Sequence, residues 1–178
     1  QTCALPISVL ADVDGNDVPI NSTTVPAIMV VEPGFIEGTV ERQGTRTNHA
    51  NVDVIAYNAS GGVVGNTTTA GDGSFVLNVP LGGTYLVQAL YNGYLKAQKS
   101  SVYVVGGTVD LGTTTLLGGD VNNDNNCNIL DIVSIINRYG TTGWPASEPT
   151  DINNDGTVNI FDLTIAAGNF GRYGPLAW

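Results

Sequence analysis

Positive charge, cysteine, histidine and long apolar runs are all in short supply in this sequence, and each shortage closes off a class of function. Six Lys and Arg stand against sixteen Asp and Glu, for a formal net charge of −10. Such a surface repels phosphate backbones and anionic lipid, so neither nucleic acid nor membrane insertion is expected. The longest apolar run, VPAIMVV at 25–31, is strand-sized and contains Pro26; a membrane helix needs ~20 apolar residues. The opening QTCALPIS has no basic stretch followed by an apolar one, so no secretory signal is visible; either it has been removed or the chain is a fragment. Two cysteines, Cys3 and Cys127, do not make a disulfide framework. They pair with each other or with other chains only in an oxidising compartment, and a lone cysteine is often just a small buried apolar side chain.

Catalytic equipment is equally thin. His49 is the one histidine, in a Gly/Thr/Asn loop with no nucleophile motif or zinc-ligand helix around it; it reads as an exposed loop residue. Glu37, Glu41, Asp53, Asp72 and Asp110 are scattered over short strands and turns, which does not suit the facing carboxylate pair that glycoside hydrolysis needs. No enzyme is expected in this chain. Sugar binding is a weaker idea, because Tyr57, Tyr85, Tyr91, Tyr94 and Tyr103 alternate as core or face positions and both Trp lie near the C-terminal end. The N-x-S/T triplets at Asn21, Asn58 and Asn66 are about as many as this composition gives by chance.

What is abundant is glycine, 23 residues of it, together with threonine and asparagine between short alternating runs. In NVDVIAYN (51–58), Val52, Val54 and Ala56 point one way and Asp53, Ile55 and Tyr57 the other. Similar runs follow at SFVLNV (74–79), TYLVQALY (84–91), SVYVV (101–105) and TVDLGTTTL (108–116). The stretches AGDGS (70–74) and PLGGT (80–84) supply tight turns. About seven strands at this spacing over residues 35–117 predict a β-sandwich. The order IEGTV (36–40), AGDGSF (70–75), VPLGGTYLV (79–87) and NGYL (92–95) resembles the carboxypeptidase regulatory-like, transthyretin-like sandwich, and the resemblance implies a non-catalytic spacer or adhesive unit. Residues 1–34 hold two or three strands, too few to be stable alone. They resemble the closing strands of a cohesin-type sandwich. They are either edge strands on the neighbouring sandwich or strands donated to another copy.

From residue 118 the composition shifts to Asp, Asn and short helical stretches. DVNNDNNCNILD (120–131) and DINNDGTVNIFD (151–162) are identical at seven of twelve positions. A twelve-residue loop can wrap a hard cation with oxygens from positions 1, 3, 5, 7, 9 and 12. In the first loop these are Asp120, Asn122, Asp124, the carbonyl of Asn126, Asn128 (directly or through water) and Asp131. In the second they are Asp151, Asn153, Asp155, the carbonyl of Thr157, Asn159 and Asp162. Every side-chain position that needs an oxygen has one in both copies, and no imidazole or thiolate cluster suggests zinc or copper. Two Ca²⁺ ions are expected. Position 8, Cys127 or Val158, is apolar, as it would be if the loops paired back to back with those side chains inward. Position 6 is Gly156 in the second loop and Asn125 in the first, and asparagine also tolerates a left-handed backbone.

The repeat continues beyond the loops. Ile129, Ile132, Val133 and Ile136 fall on one helical face, and Tyr139-Gly140 recurs 31 residues later as Phe170-Gly171. From Gly119 to about Gly174 the pattern resembles the dockerin family: two loops, each closed by Asp and followed by one helix. The expected fold is therefore mainly β, a seven-stranded sandwich followed by a small α-helical dockerin module, 118–178, with two calcium loops. The resemblance implies a secreted or cell-surface protein that binds a cohesin-type domain. Family contacts lie at loop positions 10 and 11, often Ser or Thr. Here these are Ile129, Leu130, Ile160 and Phe161, which serve either as an apolar contact or as module core. Two functions follow. One is a structural subunit of an extracellular fibre, its first strands donated to further copies of itself. The other is the dockerin-bearing part of a secreted polysaccharide-degrading, cellulosome-like protein.

Overall fold

The computed structural model describes residues 33–44, 47–143 and 148–178. The expectation of edge or donated strands in residues 1–34 falls outside these, apart from Pro33 and Gly34, which open the first strand. Ten strands and two short helices form among the described residues. The strands are β1 (Pro33–Arg42), β2 (Asp53–Tyr57), β3 (Val63–Thr68), β4 (Ser74–Pro80), β5 (Gly83–Leu90), β6 (Gly93–Tyr94), β7 (Ala97–Val104), β8 (Thr108–Leu116), β9 (Gly118–Asp120) and, at the C-terminal end, β10 (Leu176–Ala177). The helices α1 (Ile129–Arg138) and α2 (Ile160–Gly168) lie between β9 and β10.

Alternation in the sequence becomes two sheets. A three-stranded sheet has the order β4-β1-β8, with β1 antiparallel to β4 and parallel to β8. A five-stranded sheet has the order β10-β7-β5-β2-β3. Inward positions recur every second residue: Phe75, Leu77 and Val79 on β4, Val54 and Ala56 on β2, Val102 and Val104 on β7. Their partners on the outer face, such as Ser74 and Asn78, are exposed. Each fully buried Val or Leu contributes ~1.5–3 kcal/mol relative to its exposed state.

The sandwich core does not stop where the strands end. β6 pairs with β9, which sets Tyr94 beside the start of the acidic segment. The Tyr94 hydroxyl donates to the Ile152 carbonyl at 2.7 Å. Ile152, Cys127, Ile135, Val158 and Ala166 then continue one buried cluster with the sandwich residues. Gly119 lets α2 lie against β9: its φ is +115°, and a Cβ there would come within 2.9 Å of both the Ala166 Cα and the Cys127 sulfur. At the chain's end, Leu176 N–H donates to Lys96 O at 2.7 Å and Trp178 N–H to Gln98 O at 3.0 Å. This adds β10, parallel, to the edge of β7. The Trp178 ring meets Phe75 edge-on at 5.7 Å. Strands as short as β9 and β10 leave no alternating pattern for a sequence reading to find.

Candidate metal centre and docking face

Asp120 closes β9, and its carboxylate is turned into the first loop. Its Oδ2 accepts from Asn125 N–H at 3.0 Å, while its Oδ1 is buried without a hydrogen-bond partner. Asp131, eleven residues on, is also fully buried. Its two oxygens accept from Asn122 N–H at 3.1 Å and Asn128 N–H at 2.8 Å. Asn128 is the N-cap of α1, accepting from Leu130 N–H, and with Asp131 completes a capping box. Such a box satisfies two of the amide donors a helix start leaves over. Asp124 sits at the rim, accepting from Asn126 N–H at 2.8 Å and from the Asn122 amide at 3.0 Å.

The second loop repeats these bonds and adds one, to the oxygen that in Asp120 has no partner. Asp151 accepts from Gly156 N–H at 2.9 Å and Asp155 N–H at 3.1 Å. Asp162 accepts from Asn153 N–H at 3.1 Å and Asn159 N–H at 2.9 Å. Asn159 caps α2 through Phe161 N–H. Asp155 takes Thr157 N–H at 2.9 Å and the Asn153 amide at 2.9 Å. Positive backbone angles at Asn123, Asn125, Asn154 and Gly156 bend each loop around its first carboxylate.

Burial shapes the electrostatics. Asp120 is pushed up to about 6, first by desolvation and then by the charges of Asp131 and Asp124. Burial also raises Asp151, with Asp162 and Asp155 adding to it. At the rim, the Asn122 amide holds Asp124 below the usual carboxylate range. Asp120, Asp131, Asp151 and Asp162 are all buried, and neither loop contains a Lys or Arg. Buried carboxylates are costly without a compensating charge. A hard divalent cation, which takes six to eight oxygens, fits this all-oxygen donor set and the partnerless Asp120 oxygen. Among the described residues, no three His, Cys, Asp or Glu side chains form a metal-holding group by themselves. The other oxygens each loop offers are those of its amide side chains and main chain. Cys127 is not among the donors: it is a free, buried thiol that donates to Ala166 O at 3.3 Å, and burial pushes it up to about 11.

Two local expectations are corrected. The loops do not pair with each other. Cys127 N–H instead donates to Arg172 O and its carbonyl accepts from Gly171 N–H, whereas Val158 N–H donates to Thr141 O and its carbonyl accepts from Gly140 N–H. Each loop is thus bonded to the segment that follows the other loop's helix, with Cys127 and Val158 still inward. The apolar face that the spacing puts on α1 is turned outward. Ile129, Val133 and Ile136 are exposed and Ile132 is half-buried, whereas the buried pair is Asp131 and Ile135. The helix must aim Asp131 into the loop, which turns the apolar stripe outward. Finally, His49 is not loose decoration: it is half-buried and its Nδ1 accepts from Arg42 N–H at 3.0 Å.

Loop positions 10 and 11 stand out on the surface. Ile129 is 58% exposed, Leu130 60%, Ile160 53% and Phe161 64%, so none of the four is core. Val133 and Ile136 extend the first pair along α1, and Phe170 and Tyr173 are exposed beyond α2. Exposed apolar side chains grouped in this way mark interaction surfaces in soluble proteins.

Two family models match the chain. The carboxypeptidase regulatory-like domain matches residues 36–116 and the dockerin type I domain residues 118–167. Both are non-catalytic modules, and no catalytic domain is found beside them. Among solved structures, the chain is similar to an N-terminal interface mutant of a type II cohesin–X–dockerin complex from Acetivibrio cellulolyticus, with 23% identity, a TM-score of 0.66, and coverage of 79% of this chain and 97% of that one. A C-terminal interface mutant of the same type of complex, also from Acetivibrio cellulolyticus, matches at 22% identity with the same TM-score and coverage. These likenesses establish the fold. No curated protein matches the chain.

Proposed function

We propose that this chain, a carboxypeptidase regulatory-like domain followed by a dockerin type I domain, is a non-catalytic, calcium-braced attachment element that works outside the cell by docking onto a cohesin-type domain. The observation that carries the reading is the pairing of two features in one module. Two buried carboxylates recur at the first and last positions of both loops, and each loop delivers two exposed apolar residues to the start of a helix. One feature asks for cations and the other for a protein partner.

In this reading residues 35–117 are the spacer and 118–178 the docking module, and each loop holds one Ca²⁺. The ligands in the first loop are Asp120, Asn122, Asp124, the Asn126 carbonyl and Asp131, with Asn128 reaching the ion through water from its cap position. In the second they are Asp151, Asn153, Asp155, the Thr157 carbonyl and Asp162, with Asn159 in the same role. The bound ions supply positive charge that offsets the inward carboxylates. The protein's own contribution is to hold Asp131 and Asp162 at the third helical position, where they fix loop and helix together. Ile129, Leu130, Ile160 and Phe161 then form the apolar centre of the docking face.

Calorimetric titration tests this. The chain should take up two calcium ions, and it should bind a cohesin domain in calcium but not in excess chelator. Failure to bind calcium defeats the reading at its base; calcium binding without cohesin binding defeats the docking half. The three-stranded sheet has edge strands β4 and β8, which keeps a second reading in play, a fibre in which a neighbour's strand pairs there. Long polymers in sedimentation, in place of a monomer, would favour it.

A further inference from the structure

The two loops differ where their bends face. In the second, the left-handed corner faces outward: among the described residues Asn154 makes no side-chain bond, and a Cβ on Gly156 would meet nothing within 4 Å. In the first, the same corner rests on the sandwich. Asn123 Oδ1 accepts from Gly93 N–H at 3.0 Å, and its amide donates to Asn92 Oδ1. Asn125 Oδ1 accepts from Lys96 N–H at 3.0 Å.

Asn125 also reaches two other places through its backbone. Its N–H holds the Asp120 carboxylate, and its carbonyl accepts from Gly174 N–H at 2.9 Å. Gly174 lies so close that any side chain there would strike the Asn125 amide. Lys96, whose N–H goes to Asn125, gives its carbonyl to Leu176 N–H at 2.7 Å. One asparagine therefore joins the first carboxylate of the loop, the link between β6 and β7, and the tail that carries β10 and Trp178. Asparagine's tolerance of a positive φ explains why it can replace glycine at position 6. It does not explain why two neighbouring amide oxygens each take a main-chain N–H from the sandwich.

We infer that Asn125, supported by Asn123, is a positioning residue that couples cation binding in the first loop to the docking of β10 on the sandwich. The inference rests on the calcium reading above. A corner already held by Gly93 and Lys96 has less freedom to lose when the loop closes, so the first loop fills at lower calcium than the second. Linkage is reciprocal: whatever the sandwich lends to calcium affinity, calcium lends to the seating of the tail.

The test uses the full chain with Trp144→Phe, which leaves Trp178 as the one indole. Calcium titration is followed by heat and by Trp178 emission. Trp178 emission should change with the tighter of two binding events. Adding Asn125→Gly, the residue the second loop uses, should keep two events, weaken the tighter about tenfold and leave Trp178 blind to calcium. Asn154→Gly should change neither. Leu176→Pro, which removes the N–H donated to Lys96 without touching the loop, should weaken the tighter event in the same direction, and it decides the matter if Asn125→Gly does not fold. Two unchanged events in Asn125→Gly or in Leu176→Pro, or Trp178 following the weaker event, would overturn the coupling and leave the calcium reading standing. A Trp144→Phe chain that binds no calcium would remove both.

Discussion

Asp120 shows how much of the site rests on a single side chain. Its carboxyl titrates near 6 rather than 3.8 because folding removes it from water. Between about pH 4 and 6 the folded, calcium-free chain therefore holds more of a proton there than the unfolded chain does. Where the native state binds more protons, stability falls as pH rises. In chelator, thermal stability should thus decline between about pH 4 and 6, and Asp120→Asn should flatten that decline. In calcium the same substitution acts the other way, weakening cation binding by the first loop because it removes a negative charge from the donor set, as a titration would register. The duplicated acidic pattern 31 residues apart was legible in the sequence, and the structure folds each copy into a loop closed by a buried carboxylate, Asp131 or Asp162. The corner asparagines were not: nothing in the sequence distinguishes one that tolerates a bend from one that bonds across to another sheet.

At the scale of elements, the helices invert the usual inference from amphipathicity. An apolar stripe normally lies against the core. In α1 the core side is reduced to Ile135 and the loop carboxylate Asp131, and the stripe is left exposed. Periodicity shows that a face exists without saying which way it looks, and so the burial of α1 was not readable in advance. The crossed pairing of Cys127 with Gly171 and of Val158 with Gly140 was hidden for a related reason, since two-residue bridges carry no period. Ile129→Ser with Phe161→Ser should change stability by only about 0.5 kcal/mol, the usual bound for surface sites. The same pair should cost about tenfold or more in cohesin affinity if these are contact anchors. Ile135→Ala should behave oppositely, destabilising by about 2–5 kcal/mol through the cavity it leaves. Thiol labelling gives a further check. In a Cys3→Ser background Cys127 should resist alkylation in calcium and react once chelator loosens the bridge it sits on.

For the whole described body, the buried cluster that runs from β1 to α2 has a thermodynamic consequence. Sandwich and docking module should melt as one unit. Calcium at a hundred times its dissociation constant adds ~2.7 kcal/mol per site, and at this chain length 1 kcal/mol moves the midpoint by about 2–4 °C. Scanning calorimetry should show one transition that rises by several degrees in calcium, with helical circular dichroism lost at that same transition. A sandwich transition indifferent to calcium would contradict the shared core. The sandwich strands were readable in outline because alternation over five or more residues is hard to mistake. β9 and β10 were not, since they exist only because a distant segment happens to lie alongside. The crossed bridges carry one last implication. Each half of the C-terminal module takes its closing bonds from the other, so a single loop and helix would lack them unless a second copy supplied them.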